Sequence, residues 1–366
     1  MPKPPAADPA CYALVHSGLE AIAGEEVEQD FRGEVKKAGR GIVVFRVPEI
    51  DRSIFNLRTT EDVFLFGWGT DELSFRAADL ESIRRWTDRD ADWASLLKVH
   101  HRVRPKPQGR PSFRVVVQMT GEHAYRRVDA RKAFWKGLAD KIPASWREVE
   151  ENAAVELWLT IHGPTAVAGV RLSDRTMRHR TYKFEHFPAS LRPTVAAAMA
   201  RLAELKPNQV VVDPFCGAGT VLAECLLAIR RKSKGNLEFW NPTLKGGDID
   251  PHHLRAAEAN LRGLGDFRLE EWDARRLPLE EASVDRIVSN PPFGKQLSTP
   301  EEIGPLYRAS VRELDRVLKP GGLTVLLVAE APVMKEAIKH VGWSQVSYTP
   351  IRILGQPAVI LVYRKG

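Results

Sequence analysis

Val210 to Thr220 reads V-V-V-D-P-F-C-G-A-G-T, and V-L-A-E-C-L-L-A-I follows it. Three β-branched residues, an aspartate, two glycines two apart and an apolar helical pattern describe a buried strand that turns tightly into a helix. Such a turn seats a ligand. Gly217 and Gly219 lack a Cβ, so backbone can pass close to a bound molecule while Thr220 begins the helix. Asp213 ends the strand facing that gap, and its charge decides what the seat holds. A dinucleotide pyrophosphate requires G-x-G-x-x-G without an anion beside its phosphates, and a P-loop requires Gly-Lys-Ser/Thr; neither pattern is present. A carboxylate beside a glycine turn suits a cationic ligand.

Downstream, two more strand ends carry acids. A short strand closes in G-G-D-I-D-P, where a carboxylate is placed to hold the ribose hydroxyls of a nucleoside. Asp248 fits that role and Asp250 caps the helix P-H-H-L-R-A-A-E-A-N-L, the two being able to exchange roles. F-R-L-E-E-W-D then ends at Asp273, which either meets the ligand or caps the turn after it. After the strand V-D-R-I-V comes Ser289 to Lys295, S-N-P-P-F-G-K. Asn290-Pro291-Pro292-Phe293 resembles the (N/D)-P-P-(Y/F) motif of methyltransferases that act on a planar exocyclic nitrogen, a poor nucleophile because its lone pair is delocalised. The Asn290 side-chain carbonyl and the Pro291 backbone carbonyl can each accept one of its N–H groups and stabilise the charge that develops on methyl transfer. The prolines hold these acceptors still, and Phe293 offers an aromatic face to an extruded base. Asn290 is neutral and so is no strong general base.

The stretch D-P-F-C-G-A-G-T resembles motif I of class I S-adenosylmethionine-dependent methyltransferases, and Asn290-Pro291-Pro292-Phe293 resembles their (N/D)-P-P-(Y/F) motif. The resemblance implies S-adenosyl-L-methionine as cofactor. It places Asp213, Cys216, Gly217, Gly219, Thr220, Asp248, Ile249, Asp273, Ala274 and Asn290 around it, with Asp273 taking the adenine amine.

Residues 303 to 366 complete such a sheet. Ile303 to Leu318 reads as a helix, K-P-G-G as a turn, L-T-V-L-L-V as a buried strand and P-V-M-K-E-A-I-K-H as a helix. Strands near Ser344 to Ile351 and Ala358 to Tyr363 form a closing antiparallel hairpin. Residues 233 to 244 read as an insertion, too long for an ordinary helix-to-strand loop.

The N-terminal half has a different character. At 366 residues the chain is long for one core, and its net charge of +7 is uneven: −5 over residues 1–100, +8 over 101–190 and +4 over 191–366. A basic, aromatic-interleaved middle is the footprint of a polyphosphate partner such as RNA. Residues 10 to 70 alternate strand runs (Tyr12 to Val15, Ile42 to Val47, Val63 to Trp68) with helical patterns near Leu19 to Asp30 and Ile50 to Leu57, as in a small ferredoxin-like α+β domain. Residues 73 to 98 read as helical, with Trp86 and Trp93 on one face. F-R-V-V-V-Q-M from Phe113 is a strand, and E-H-A-Y-R-R-V-D-A-R-K-A-F-W-K-G-L a helix bearing Arg126, Arg127, Arg131, Lys132 and Lys136. Strands at Val155 to Ile161 and Ala166 to Leu172 follow.

This order over residues 73 to 172 resembles the THUMP domain of tRNA-modifying enzymes. By that resemblance the module grips the tRNA acceptor end, and His123, Arg126, Arg127 and Lys132 are candidates for phosphate contacts; the alternative is a solvated helix face. Residues 173 to 190 form a basic linker with Arg175, Arg178 and Arg180, and L-R-P-T-V-A-A-A-M starts a helix with Pro193 in its first turn. In THUMP-containing guanine methyltransferases the same arrangement covers the methionine end of the cofactor, which makes Leu191 and Arg192 candidates for the site.

The expected fold is therefore α/β: a Rossmann-like class I methyltransferase domain with a seven-stranded, mostly parallel sheet (193–366), preceded by a ferredoxin-like domain (1–72), a THUMP domain (73–172) and a linker (173–192). Residues 73 to 366 resemble the THUMP-containing tRNA guanine-N2-methyltransferases, and N-P-P-F-G-K-Q is most like their TrmN-type branch. That branch implies N2-methylguanosine at position 6 of the tRNA acceptor stem, with tRNA as partner and Lys295 near the RNA. Position 10 of tRNA, where the motif usually starts with Asp, and ribosomal RNA are the alternatives. DNA adenine or protein glutamine methylation needs no basic THUMP-like module, and a non-catalytic RNA-binding protein needs no intact Asn290. The three cysteines form no C-x-x-C pair, so neither a disulfide framework nor a zinc site is expected, and Cys216 and Cys225 are expected to be buried. The proline-rich start has no apolar signal region and no stretch reaches the ~18 apolar residues of a membrane span, so a cytoplasmic location is expected; a monomer is also expected.

Overall fold

The computed structural model describes residues 8–105, 109–187, 190–233, 242–293, 300–353 and 355–366. Two compact units emerge, one of residues 8–15 and 23–177, the other of residues 16–22 and 178–366.

The first unit is built on β1 (Cys11–Val15), β2 (Glu34–Gly39), β3 (Ile42–Arg46), β4 (Thr60–Thr70), β5 (Ser112–Thr120), β6 (Arg147–Glu148), β7 (Val155–His162) and β8 (Thr165–Arg171). They form one eight-stranded sheet in the order β2-β3-β1-β4-β8-β7-β5-β6. All neighbours are antiparallel except β5, which runs parallel to β6 and β7. The sheet is continuous through residue 72, because β4 pairs with β8 from Phe64↔Arg171 to Thr70↔Ala166. Strand β5 shows why: Phe113, Val115 and Val117 alternate inward to a core shared with Phe45, Leu65 and Leu159.

Helices α1 (Glu20–Phe31), α2 (Asp79–Arg89), α3 (Trp93–Val103) and α4 (Arg127–Leu138) accompany this sheet in sequence. The expected single helical stretch at 73 to 98 is two helices. Asp92 accepts from the Ser95 N–H at 3.0 Å and starts α3 afresh, so Trp86 and Trp93 stand on different helices. Thr87 joins them instead: the Trp93 indole donates to its carbonyl (2.7 Å) and the Trp68 indole to its hydroxyl (3.1 Å).

Between the units in sequence lies a single turn, α5 (Thr176–His179). The second unit then runs α6 (Pro193–Leu202), β9 (Val210–Asp213), α7 (Thr220–Lys232), β10 (Thr243–Asp248), α8 (Pro251–Leu261), β11 (Arg268–Glu271), β12 (Val284–Ser289), α9 (Pro300–Val317), β13 (Leu318–Val328), α10 (Ala331–Ile338), β14 (Trp343–Ile353) and β15 (Gln356–Lys365). Its seven strands lie in the order β11-β10-β9-β12-β13-β15-β14. The first five are parallel and the last two close the sheet antiparallel, the arrangement expected. Such a strand is buried on both faces, which is why V-V-V and L-T-V-L-L-V are continuous apolar runs. Lys319 to Gly322, read as a turn, loop out of β13 as a bulge: the register with β12 jumps from Val284↔Leu318 to Arg286↔Leu323. Most of the insertion at 233 to 244 lies outside the described residues.

From β9 the chain moves outward to β10 and β11, then returns to place β12 on the other side of β9. The switch point is thus between β9 and β12, where open α/β sheets form their ligand crevice beyond the carboxyl ends of the strands.

Candidate active site

A cavity of about 2070 Å³ occupies that crevice. Its wall includes Asp213 at the end of β9, Asp248 at the end of β10 and Asn290 just past β12. The switch point is stitched by one short bond: the Ser289 hydroxyl donates to Asp213 Oδ1 at 2.6 Å. The Phe215 N–H donates to the same oxygen at 3.1 Å. Asp213 is only 1% exposed, and burial pushes its carboxyl up to about 7 against these two donors.

The glycine turn is built as its sequence requires. Gly217 and Gly219 take φ of +49° and +74°, the left-handed region that other residues resist. A Cβ on Gly217 would meet nothing within 4 Å, so the backbone there borders open space on the cavity wall. A Cβ on Gly219 would meet Ala257 Cβ at 3.1 Å. Gly219 therefore serves close packing against α8, and it is the one expected cofactor residue that is not on the cavity wall.

Asp248 is tied to that turn. Its Oδ2 accepts from the Gly217 N–H at 2.9 Å, while Oδ1 accepts from the Asp250 N–H (3.0 Å) and faces His253 Nδ1 (3.0 Å). Three of the roughly four acceptor positions of a carboxylate are thus engaged, leaving one for a ligand hydroxyl. Asp250 caps α8 through the His252 N–H at 2.8 Å, as expected. Asp273 lines the cavity with both oxygens held by Arg275 (2.8–3.0 Å), which keeps its carboxyl below the usual range. Ile249, Ala274, Cys216, Thr220 and Leu191 also line it. All three cysteines are buried and none forms a disulfide, and burial holds the Cys216 thiol well above its ordinary pKa.

Asn290, Pro291, Pro292 and Phe293 stand together on the cavity wall. Asn290 Oδ1 is buried and has no hydrogen-bond partner among the described residues. An unpaired buried acceptor costs about 1–3 kcal/mol, so a group left this way marks a place where something else bonds. The hydroxyls of Ser190 and Thr220, on the same wall, are also buried and without a partner among the described residues.

Three supporting residues escaped the sequence reading. The Tyr307 hydroxyl donates to the Pro292 carbonyl at 2.9 Å, from a helix face that reads as plain core. Burial and Glu330 push that phenol up, so it remains a donor at every ordinary pH. Lys183 Nζ donates to the Leu191 carbonyl at 2.5 Å and is pushed down to about 8 by burial; in sequence it is one more cation of a basic linker. His253 faces Asp248 and packs on Phe187, with ring centroids 4.7 Å apart. Its place three residues after the capping Asp250 was the only signal.

The expected RNA contacts lie elsewhere. In the first unit, Arg127 and Lys132 are exposed on α4; Arg126 precedes it with its Nε 3.3 Å from Asp129. His123 faces the carbonyls of Gly163 (3.1 Å) and Gly121 (3.3 Å) and packs between Phe75 and Tyr125. Arg175 is exposed, and Lys295 lies outside the described residues.

Comparison with known proteins agrees with this geometry. The family model for RMKL-like methyltransferase domains (UPF0020) matches residues 180–355. A Thermus thermophilus protein named tRNA (guanine(6)-N2)-methyltransferase is 30% identical over 332 residues, covering 89% of this chain and 91% of that protein. The chain belongs to the TrmN-like, THUMP-containing guanine-N2-methyltransferase family. The crystal structure of TrmN from Thermus thermophilus superimposes with a TM-score of 0.75 at 26% identity, over 98% of this chain and 99% of that one. The bovine tRNA (guanine(6)-N(2))-methyltransferase THUMP3 is 30% identical over 272 residues, 69% of this chain but 51% of that protein, so the chain spans about half the length of such mammalian relatives. SMU.472, solved complexed with SAH, shares the fold (TM-score 0.72, 15% identity, 98% of this chain and 99% of that one). Among the described residues no group of three or more His, Cys, Asp or Glu could hold a metal ion, and no helix is long and apolar enough to cross a membrane.

Proposed function

We propose that this protein methylates the exocyclic N2 of a guanine in tRNA, using S-adenosyl-L-methionine, at position 6 of the acceptor stem. The observation that carries the chemistry is the buried, unpartnered Oδ1 of Asn290 on the wall of the switch-point cavity.

The residues present fit the cofactor. The open space over Gly217, the hydroxyls of Ser190 and Thr220 that have no partner among the described residues, the Asp248 carboxylate and the buried carboxyl of Asp213 make a polar, acidic seat. Asp248 has one acceptor position left for a ribose hydroxyl, and Ile249 and Ala274 supply apolar wall. When bound, S-adenosylmethionine supplies an electrophilic methyl on a sulfonium. Asn290 Oδ1 accepts an N–H of the guanine amine, draws its lone pair out of conjugation and stabilises the positive charge that develops there. Pro291 and Pro292 limit the backbone freedom of that acceptor, and Tyr307 fixes the Pro292 carbonyl. Phe293 gives the extruded base an aromatic face. Because Asn290 is neutral, the proton leaves to water after transfer. The basic stretch 101–190, which holds most of the segment that resembles a THUMP module, binds the RNA through Arg126, Arg127, Lys132 and Arg175, with Lys295 a further candidate. The names of the Thermus and bovine relatives support position 6.

Transfer of labelled methyl to unmodified tRNA transcripts, with nucleoside mass spectrometry and mapping, tests this reading. N2-methylguanosine at position 6 is the expected product. Label at position 10, in small nuclear RNA or in ribosomal RNA keeps the chemistry and overturns the substrate; no N2-methylguanosine overturns both. Asn290→Ala should lower kcat on the order of 10²–10³-fold, the cost of losing a preorganised acceptor, with cofactor affinity unchanged.

A further inference from the structure

The cavity has a second polar wall that the chemistry above does not use. Helix α9 contributes Pro305, Leu306, Arg308, Ala309 and Arg312 to it. Arg308 and Arg312 are four residues apart, hence neighbours on one helical face, and both are exposed. Their charges are not spent internally. Arg312 Nε donates only to the Arg308 carbonyl at 3.3 Å, and neither guanidinium has an ion-pair partner among the described residues. Arg275, on the same cavity, is by contrast locked to Asp273. Gly304 leaves room for the arrangement, since a Cβ there would lie 3.3 Å from Arg308 Nη1.

Position gives the pair its meaning. Tyr307, next to Arg308, anchors the Pro292 carbonyl, so the helix bearing both arginines is fixed to the Asn290–Phe293 motif. Arg308, Arg312 and Asn290 therefore line one cavity, with the arginines held in a fixed relation to the motif. Two adjacent guanidiniums offer forked donors that match the oxygens of a phosphodiester. Among the described residues the carboxylates of the cavity are Asp213, Asp248 and Asp250 at the β9 and β10 ends, Asp273, which is paired, and Glu330 after β13. Glu330 is thus the described acid a phosphate must tolerate near α9, and two cations outweigh it.

We propose that Arg308 and Arg312 form a phosphate clamp that holds the backbone of the extruded target nucleotide while its base occupies Asn290 and Phe293. The clamp rests on the RNA-methyltransferase reading and names the part of the substrate that this wall binds. It adds affinity and register without base selectivity, since phosphate contacts position and base contacts specify.

Steady-state kinetics over a salt series on the RNA that the wild type methylates test it, with Arg308→Ala, Arg312→Ala, the double variant and the two Lys replacements. Cofactor affinity and melting temperature are measured in parallel. KM for RNA should rise roughly five- to ten-fold per Ala variant and more in the double, with kcat within about two-fold. The salt dependence of log(kcat/KM) should flatten by about one per arginine removed, and Lys should restore that slope while recovering only part of KM. An active wild type with Ala variants of unchanged KM and slope overturns the clamp alone; so does an equal loss of cofactor affinity, which would assign these arginines to the other site. A wild type that methylates no RNA overturns the clamp together with the reading beneath it.

Discussion

The two sheets treat buried polar groups in opposite ways. In the eight-stranded sheet, Arg171 donates to Asp62 (2.9 Å) and Glu156 (2.8 Å), Ser173 donates to Asp62 (2.8 Å), and the Trp158 indole donates to Glu156 (2.9 Å). The guanidinium also lies 5.3 Å from the Trp158 ring. Arg114 Nε lies 3.0 Å from Glu156 Oε1, so the two carboxylates face two guanidiniums, and the group holds strands together and offers nothing to a ligand. In the seven-stranded sheet, among the described residues, Asp213 has hydroxyl and amide donors but no cation, and Asn290, Thr220 and Ser190 keep unpartnered oxygens on an open cavity. The first sheet also leaves the hydroxyls of Tyr12, Thr60 and Thr160 unpartnered, but those residues are 0% exposed and closed in. A buried polar group marks a site when its deficit faces a space that a ligand can fill, and marks architecture when it does not.

Matched substitutions should separate the two cases most strongly. Asp62→Asn removes one of the two carboxylates paired with the largely buried Arg171, leaving Glu156, and should cost about 1.5–3 kcal/mol of stability at pH 7. Asp213→Asn should do the reverse. The Asp213 carboxyl is raised from 3.8 to about 7 by burial, so the folded protein favours its protonated form. The stability linked to that proton is fully present below pH 3.8 and lost as pH rises through 7, and above 7 the folded state carries an unpaired buried charge. Asparagine keeps an oxygen for Ser289 and Phe215 without the charge. The ligand-free variant should melt higher than wild type at pH 8, by up to about 4 kcal/mol. Its affinity for S-adenosylmethionine should fall on the order of 10²-fold at that pH. Melting curves and isothermal titration at pH 5.5 and 8 check both; a variant less stable at pH 8, with cofactor affinity intact, would erase the contrast.

A smaller effect tests support that is purely geometric. Tyr307→Phe deletes one hydroxyl and frees the Pro292 carbonyl. Methyl-transfer kcat should drop about ten-fold, with cofactor affinity unchanged and melting lowered by no more than about 1–2 kcal/mol. Equal losses in kcat and cofactor affinity would mean that the bond holds the whole cavity rather than the motif.

Why Asn290 was legible in sequence and Tyr307 was not follows from how each is specified. Asp213, Gly217 and Asn290-Pro291-Pro292-Phe293 act through neighbours in the chain, where strand, turn and helix must switch within a few residues, so the chemistry is written as a local pattern. Strands β9 and β13 were legible for the same reason, through continuous apolar runs, and β10 and β11 through the acids that end them. Tyr307 bonds to Pro292 fifteen residues away, and Lys183 to Leu191 across a linker whose charges look like solvated surface. Such partners depend on tertiary packing. Strand β2 escaped because E-V-K-K-A-G lies at the sheet edge with Val35 alone packed toward the core, so it lacks an alternating apolar face. The two-helix break at Asp92 was hidden by the accidental seven-residue spacing of Trp86 and Trp93.

The smallest expected effects belong to the surface of the first unit, where sequence offered only charge. Arg127 and Lys132 are exposed on α4, whereas Arg131 is committed to Glu148 at 2.5 Å. If this face carries RNA backbone, Arg127→Ala and Lys132→Ala should each weaken RNA binding roughly two- to five-fold and flatten its salt dependence by about one, leaving kcat unchanged. Arg131→Ala should do less, because that charge is already paired. His123→Ala should act on stability instead, since the ring bridges the Gly121 and Gly163 carbonyls between two aromatic neighbours. Filter binding over a salt series, with melting curves alongside, separates the four variants. If Arg127 and Lys132 leave both affinity and slope untouched, α4 is a solvated face. RNA affinity would then have to come from the cavity-lining arginines of the second unit, leaving the eight-stranded sheet as architecture alone.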